Sequence, residues 1–385
     1  MVAEVRRGAA QRAVARRFGI GLGHLQYWLA RTHGQRLDRV DWSDQSNAPR
    51  THGRQTQASV QRRVLALRRE LRQGDLGFVG AQAIHDVLRA ERPHARLPSL
   101  RTIGRILKRH GALDAVRRVR RCAPPPGWYL PEVAAGRAEL DAFDVIEDLP
   151  LEGGPRLDAF TTRALWGSEC GAWISGAMRA RWLWERLEAH WRAHGCPVYA
   201  QFDNDSRFQG THTHPDVLGQ VIRFCLSVGV IPVFAPAREH GPQNLNESFN
   251  HLWQQKVWHR FHHPDEAAFQ LRSDRFVAAY QRRRVARDDR APARRPFPKR
   301  WNLDLHQRPH GTVIYLRRTD ESGAIRVLGH RLEVDAQWVH RLVRAEVDLD
   351  AGKIRCYRLR RRAPDEQPLV QTIPYVFPKK QFHPT

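Results

Sequence analysis

The residue types that can do phosphoryl chemistry lie at three places in the chain. Asp203 closes an apolar run at 197–202 and opens the polar stretch Asn204-Asp205-Ser206-Arg207-Phe208-Gln209-Gly210. Glu247 follows 44 positions later, near the start of a helical pattern. Upstream, Asp141 and Asp144 lie on a segment that reads as a strand. An aspartate at a strand end and a glutamate in the first turns of a helix converge where the carboxyl edge of a sheet meets that helix. About three carboxylates on rigid elements suit a site for two divalent metals. One ion activates an attacking water or hydroxyl, the other stabilises the leaving oxygen, and they sit roughly 3.5–4 Å apart. Hard cations such as Mg²⁺ prefer oxygen ligands. Asp141 and Asp144 are three apart, so on a regular strand they face opposite sides and only one of them reaches a metal. Taken singly, each aspartate also reads as a turn cap or a solvent-facing residue.

Charge distribution points to the substrate. The chain has 385 residues and a formal charge of +24. Residues 1–130 carry a net +17, residues 131–260 a net −4 and residues 261–385 a net +11. Basic flanks attract phosphate by releasing condensed counterions, and an acidic centre that works beside phosphate needs cations to neutralise it. Arginine outnumbers lysine 58 to 6, which also fits a GC-rich genome. Nucleic acid is the expected partner. No apolar stretch is long enough to span a bilayer, and the first residues lack the apolar run of a signal peptide, so we expect no membrane association and a cytoplasmic location. The five cysteines are scattered and show neither CxxC nor structural-zinc spacing, so neither disulfides nor a zinc finger is expected.

The elements that must position these residues read as four domains. In 1–35, apolar residues at 10, 13, 14 and 18 form one helical stripe, Gly19-Ile20-Gly21 a turn, and Leu22, Leu25, Trp28 and Leu29 the inward face of a second helix. That is a helix-turn-helix pattern, with His24, Gln26, Tyr27 and Arg31 on the face that meets a major groove. Residues 33–58 read as a polar linker. A second helical unit spans 58–115, with Ser99 as N-cap and Gly111 as stop of its last helix. Arg101, Arg105, Lys108 and Arg109 there are free to meet phosphates; a packing or dimerisation bundle is the competing reading. A basic run at 117–121 and Ala-Pro-Pro-Pro-Gly before Trp128 mark a boundary. The middle, 136–285, alternates: strands at 138–146, 156–166 and 171–175, a helix at 180–194, a strand at 197–202, a helix at 215–227, a strand at 230–235, and helices at 243–260 and 265–284. This is an α/β order of the ribonuclease-H-like kind. A proline/arginine linker at 285–300 precedes short strands at 311–317, 325–334, 339–348 and 353–359, expected as a small β-barrel within 305–375. Its arginines suit DNA contact or a dimer interface equally.

The region from 141 to 284 resembles the DDE integrase/transposase core shared by retroviral integrases and bacterial insertion-sequence transposases. The second motif of that family, DNG-x-x-F, is matched by Asp203-Asn204-Asp205-Ser206-Arg207-Phe208. The third, N-G-x-x-E-x-x-N, is matched by Gln243-Asn244-Leu245-Asn246-Glu247-Ser248-Phe249-Asn250. The first corresponds to Glu139-Leu140-Asp141, and 278–284 resembles the closing helix. Asp205 stands where the family has glycine, Gln243 and Asn244 stand where it has Asn and Gly, and the interval from Asp203 to Glu247 is longer. The resemblance implies Asp141, Asp203 and Glu247 as the catalytic, metal-holding set, with Asp144 as substitute for the first and two Mg²⁺ or Mn²⁺ ions as cofactors.

The function implied is that of an insertion-sequence transposase. It would hydrolyse a phosphodiester at an element end and transfer the freed 3′-hydroxyl strand to target DNA. Its helical units would bind the terminal repeats as a homo-oligomer on double-stranded DNA, in a nucleoid-associated bacterial setting. The alternative is a transposase-derived DNA-binding protein without catalysis; a third reading is a ribonuclease-H-type nuclease. No GxxxxGK[ST] pattern is present, so the core is not read as an ATPase. His212 and His214 read as a surface insertion rather than metal ligands; His240, before the glutamate helix, is placed where it could meet DNA, and Lys256 reads as solvent-facing rather than as a phosphate contact.

Overall fold

The computed structural model of the protein describes residues 1–43, 56–93, 95–113, 127–151, 153–211, 214–235 and 244–378. Residues 1–58 and 59–385 form two compact units. The first holds α1 (Val2–Arg6), α2 (Gln11–Arg17) and α3 (Leu22–Thr32). Val14, Ala15 and Leu25 are its buried core, with Leu22 and Leu29 packed against it. Gly19, at φ +63°, makes the turn between α2 and α3, in a region that favours glycine. Trp28 is buried under Trp42, at 5.3 Å between rings, so the expected linker folds back on α3 as far as it is described.

The second unit opens with α4 (Ala58–Gln73), α5 (Ala81–Glu91) and α6 (Leu100–Arg109). Their apolar faces close on Val64, Leu67, Ile84, Leu88, Ile103 and Ile106. Ser99 caps α6, accepting from the Thr102 amide at 3.3 Å. After the short α7 (Pro131–Ala134) come β1 (Leu140–Pro150), β2 (Arg156–Ala164) and β3 (Cys170–Ser175), then α8 (Ala180–His194), β4 (Tyr199–Phe202), the one-turn α9 (Ser206–Gln209), α10 (Gln220–Ser227), β5 (Ile231–Phe234), α11 (Asn244–Lys256) and α12 (Glu266–Arg284). The chain ends in β6 (Thr312–Arg318), β7 (Ala324–Val327), β8 (His330–Glu333), β9 (Leu342–Asp348), β10 (Lys353–Arg358) and β11 (Leu369–Pro374).

The architecture is mixed α/β around one large mixed sheet of order β11-β10-β9-β6-β5-β4-β1-β2-β3, with β7 and β8 paired separately. β1, β2 and β3 are antiparallel, and β4 and β5 run parallel to β1. Apolar residues of α8 and α10, among them Leu187, Trp191, Val221 and Phe224, cover one face with Phe143, Phe160 and Phe202 beneath. α11 and α12 cover the other through Phe249, Trp253, Phe269 and Phe276. No helix among the described residues is long and apolar enough to cross a membrane.

Three expectations need correction. The C-terminal strands do not make a separate barrel. β6 pairs in parallel with β5, Val233 opposite Ile314 and Phe234 opposite Tyr315, so the core sheet continues into them. β5 would otherwise expose an unpaired edge, which proteins cover or pair. The segment 325–334 is two strands rather than one, because Leu328 and Gly329 both take positive φ and reverse the chain. The 285–300 segment is no free linker. Asp288 accepts from the Ser168 amide and hydroxyl at 2.7 Å each, and Arg295 bridges to Cys196. The boundary expected at 117–121, together with Cys122, lies outside the described residues; Cys170, Cys196, Cys225 and Cys356 are free and buried.

Candidate active site

The alternation of β1 sends its two aspartates to opposite faces. Asp141 turns toward α8 and is fully buried. Trp191 Nε1 donates to its Oδ2 at 3.1 Å, and Arg294, reaching in from the segment after α12, forms an ion pair with both oxygens. Burial works against the Asp141 charge, yet Arg294 and the indole N–H hold its carboxyl below the usual range. Both oxygens of this carboxylate are occupied. The structure therefore does not bring Asp141 together with Asp203 and Glu247, and the sequence-based placement of Asp141 at the acidic edge is corrected. The cause is Arg294, a partner 153 residues away that no local pattern shows.

Asp144 faces α11. Asn250 Nδ2 donates to its Oδ2 at 2.7 Å, and Thr161 on β2 donates to Asn250 Oδ1 at 2.7 Å. Glu247 sits one turn before Asn250, and residues three apart are neighbours on a helix surface. Arg163 Nη1 donates to Ser248 Oγ at 2.9 Å and ties the same turn to β2. Asp203 arrives from the other side. β1 and β4 pair as Asp141 with Ala200 and Ala142 with Gln201. Continued, that register sets Phe143 beside Phe202, whose rings stack at 5.2 Å, and Asp144 beside Asp203.

Electrostatics agree with the placement. Burial, then the Asp203 charge and, more weakly, that of Glu247 push the Asp144 carboxyl up to about 7. Burial likewise raises Asp203, with Asp205 adding to it. The Asp203 loop is held by its own bonds: the Asp205 amide donates to Asp203 Oδ1 at 3.1 Å, and Asp205 caps α9 by accepting from the Arg207 amide at 2.7 Å. Asp205 takes φ −61° and ψ 140°, so the turn needs no glycine where the family motif has one. Arg207 bridges Asp205, Asp158 at 3.4 Å and Glu147, neutralising the acids that flank the pair.

The donors here are all oxygens, and buried carboxylate repulsion is what a hard divalent cation relieves. Among the described residues no three His, Cys, Asp or Glu side chains stand close enough together to hold a metal ion, and the Glu247 side chain is exposed. Mg²⁺ commonly takes one or two carboxylates and leaves its other positions to water and substrate phosphate. Asp144 with Asp203 meets that requirement, so the group fits.

The remaining sequence candidates fall into three groups. Gln26 and Tyr27 are exposed on α3, while His24 accepts from Trp28 Nε1 at 3.2 Å and Arg31 lies over the Trp28 ring and donates to the Ser43 carbonyl at 2.9 Å. Arg101, Arg105 and Lys108 are exposed along one stripe of α6, opposite Ile103 and Ile106. Lys256 is not solvent-facing: its Nζ donates to the Gly77 carbonyl at 3.1 Å, and Arg260 reaches the Gly74 carbonyl at 2.8 Å, so the two residues pin the α4–α5 connection to the core. His212 and His240 lie outside the described residues, and no metal-holding group among the described residues includes His214. Sequence reasoning missed Asn250 as the residue that orients the first carboxylate, although its place in the third motif was the available signal.

No protein-family model and no curated protein matches the chain. Among solved structures it is similar to a chain of a simian T-cell lymphotropic virus intasome in complex with PP2A regulatory subunit B56 gamma. The identity is 12%, over 77% of this chain and 95% of that chain, with a TM-score of 0.31. Similarity of that size leaves the function to the residues.

Proposed function

We propose that this chain is a DNA transposase of the DDE kind, with Asp144, Asp203 and Glu247 as its acidic set. The observation that carries the reading is the convergence of Asp144 and Asp203 on one sheet edge, with Asn250 fixing Asp144 and placing Glu247 one turn away. The strand order β3-β2-β1-β4-β5, three antiparallel strands followed by two parallel ones, supports a ribonuclease-H-like core. The basic flanks support a phosphodiester substrate.

Divalent magnesium or manganese bound at these carboxylates would supply activation of the attacking hydroxyl and neutralisation of charge at the scissile phosphate. The chain's own residues do the positioning. The Asp144 backbone lies on β1 and Asp203 follows directly on β4, its loop held by the Asp205 amide, and Asn250, held by Thr161, fixes the Asp144 carboxylate. Arg207 removes the charge of the outer acids that would repel DNA. Exposed Arg101, Arg105 and Lys108 on α6 and the outer face of α3 are the proposed DNA-holding surfaces.

The test is a strand-transfer and plasmid-nicking assay of the full chain with Mg²⁺ or Mn²⁺. Cleavage that is lost in Asp203→Asn supports the reading; retention of full activity in that variant contradicts it. The exposed Glu247 and the lack of a closed metal cage favour one second reading, a DNA-binding protein without catalysis. Tight DNA binding by a well-folded protein that never nicks would select it. An RNA–DNA hybrid run beside the duplex tests for a ribonuclease-H-type activity.

A further inference from the structure

Beside the Asp203 loop lies a cavity of about 350 Å³ that the acidic set does not use. Asn204, the residue after Asp203, lines it together with Gln209, Arg317 and Arg326, over a floor that includes Val217 and Tyr315. One wall is core, from the Asp203 loop and α9; the other is β6 and the β7–β8 hairpin.

The walls are fixed. Gln209 Nε2 donates to Asn204 Oδ1, holding both amides in place. The hairpin turn presses on the loop before α10. Gly329 has φ +82°, and a Cβ there would stand 2.8 Å from Pro215 Cα, so only glycine fits. The Asp216 amide donates to the Leu328 carbonyl at 3.0 Å, and Asp216 Oδ1 also accepts from the Tyr375 hydroxyl at 2.7 Å and lies 2.9 Å from His330 Nε2.

The charge inside is one-sided. Elsewhere in the sheet extension three arginines pair with acids: Arg344 with Glu346 at 2.9 Å, Arg355 with Asp348 at 3.0 Å, and Arg358 with Asp335. No carboxylate among the described residues pairs with Arg317 or Arg326. Arg317 is half-buried, donates to the Leu316 carbonyl at 2.9 Å and the Arg326 carbonyl at 3.2 Å, and lies over the Tyr315 ring at 4.9 Å. Its donors are satisfied in part by neutral carbonyls, and no carboxylate among the described residues compensates its charge. Keeping a cation partly out of water without a counter-charge is costly, and an anionic ligand removes that cost.

We propose that this cavity receives one nucleotide of the DNA strand adjoining the phosphodiester held at Asp144 and Asp203, with Arg317 and Arg326 taking its phosphate. Asn204 and Gln209 offer amides to the base edge, and Val217 and Tyr315 form the apolar floor. This rests on the reading of Asp144 and Asp203 as the acidic site. It also gives the C-terminal strands a role, since they supply both arginines.

The test is isothermal titration of the full chain with deoxyadenosine 5′-monophosphate, deoxyadenosine and inorganic phosphate, on wild type, Arg326→Gln, Arg317→Gln and Asp203→Asn. Arg326 is exposed, so its variant folds even where Arg317→Gln does not. The monophosphate is expected to bind wild type more tightly than either fragment. Arg326→Gln should weaken it roughly tenfold or more, and Asp203→Asn should leave it unweakened. Equal binding in wild type and in folded Arg326→Gln, or binding of the monophosphate no tighter than inorganic phosphate, overturns the pocket. Nicking by wild type without monophosphate binding removes the pocket alone; Arg326-dependent binding without nicking removes the catalytic reading alone.

Discussion

The two faces of β1 treat an aspartate in opposite ways. On the α8 face Asp141 is sealed, paired with Arg294 and hydrogen-bonded by Trp191, and its carboxyl is held ionised. On the α11 face Asp144 has an amide partner in Asn250 but no cation among its bonded partners, and it sits beside two further acids that push its proton affinity up. The first arrangement ties the chain after α12 to the central strand. The second crowds acids together, raising their proton affinity, at a place where a divalent cation would relieve the repulsion. Residues three apart on one strand therefore divide structure from chemistry, and the division rests on which helix covers each face.

Substitutions separate the two roles. The largest effect is expected from Asp144→Asn or Asp203→Asn, which should lower plasmid nicking by at least about 10²–10³-fold with circular dichroism unchanged. Asp141→Ala should act on stability instead, by up to about 3–5 kcal/mol in urea unfolding, because it leaves the buried Arg294 with Glu169 at 3.3 Å but without its nearer carboxylate. Asp141→Leu combined with Arg294→Met should recover part of that loss.

The pH dependence of stability runs in opposite directions for the two aspartates. In the metal-free protein Asp144 keeps its proton to about 7, against a starting value of 3.8. Between those values the folded chain binds the extra proton, so stability falls as pH rises and the loss is complete above about 7. Asp144→Asn should remove that loss and raise stability at pH 8 by on the order of 2–3 kcal/mol, after discounting for partial exposure. Asp141, held below its usual range, contributes stability above its unfolded value that is lost as pH falls through its folded one. Melting curves of both variants from pH 3 to 8 check the two slopes. The smallest effect is expected far from β1: Arg101→Ala or Lys108→Ala should each reduce the salt dependence of DNA binding by about one unit of slope and leave the melting temperature alone.

Much of this arrangement is legible in the sequence because it is local. The apolar run ending at Asp203, the helical pattern around Glu247 and the strand-helix order of the middle are all short-range signals, and the structure has strands and helices at those places. The opposite facing of Asp141 and Asp144 is legible too, from the period of a strand. Which face receives α11 is not, since it depends on Arg294 and Asn250 arriving from distant segments. The same holds for the C-terminal strands. Their turns are readable from 320–323 and 350–352, but the edge they join is chosen by β5, some eighty residues earlier. β11 was missed because its residues alternate poorly and most are exposed.

Asp144, rather than Asp141, is the residue proposed to complete the acidic site. The most direct test of that assignment is Mn²⁺ binding followed by electron paramagnetic resonance, with a short DNA duplex present, in wild type, Asp144→Asn, Asp203→Asn and the Asp141→Leu/Arg294→Met pair. Bound Mn²⁺ is expected in wild type and in the Asp141/Arg294 variant, and its loss in the other two. Undiminished Mn²⁺ binding by a folded Asp144→Asn protein would contradict the assignment.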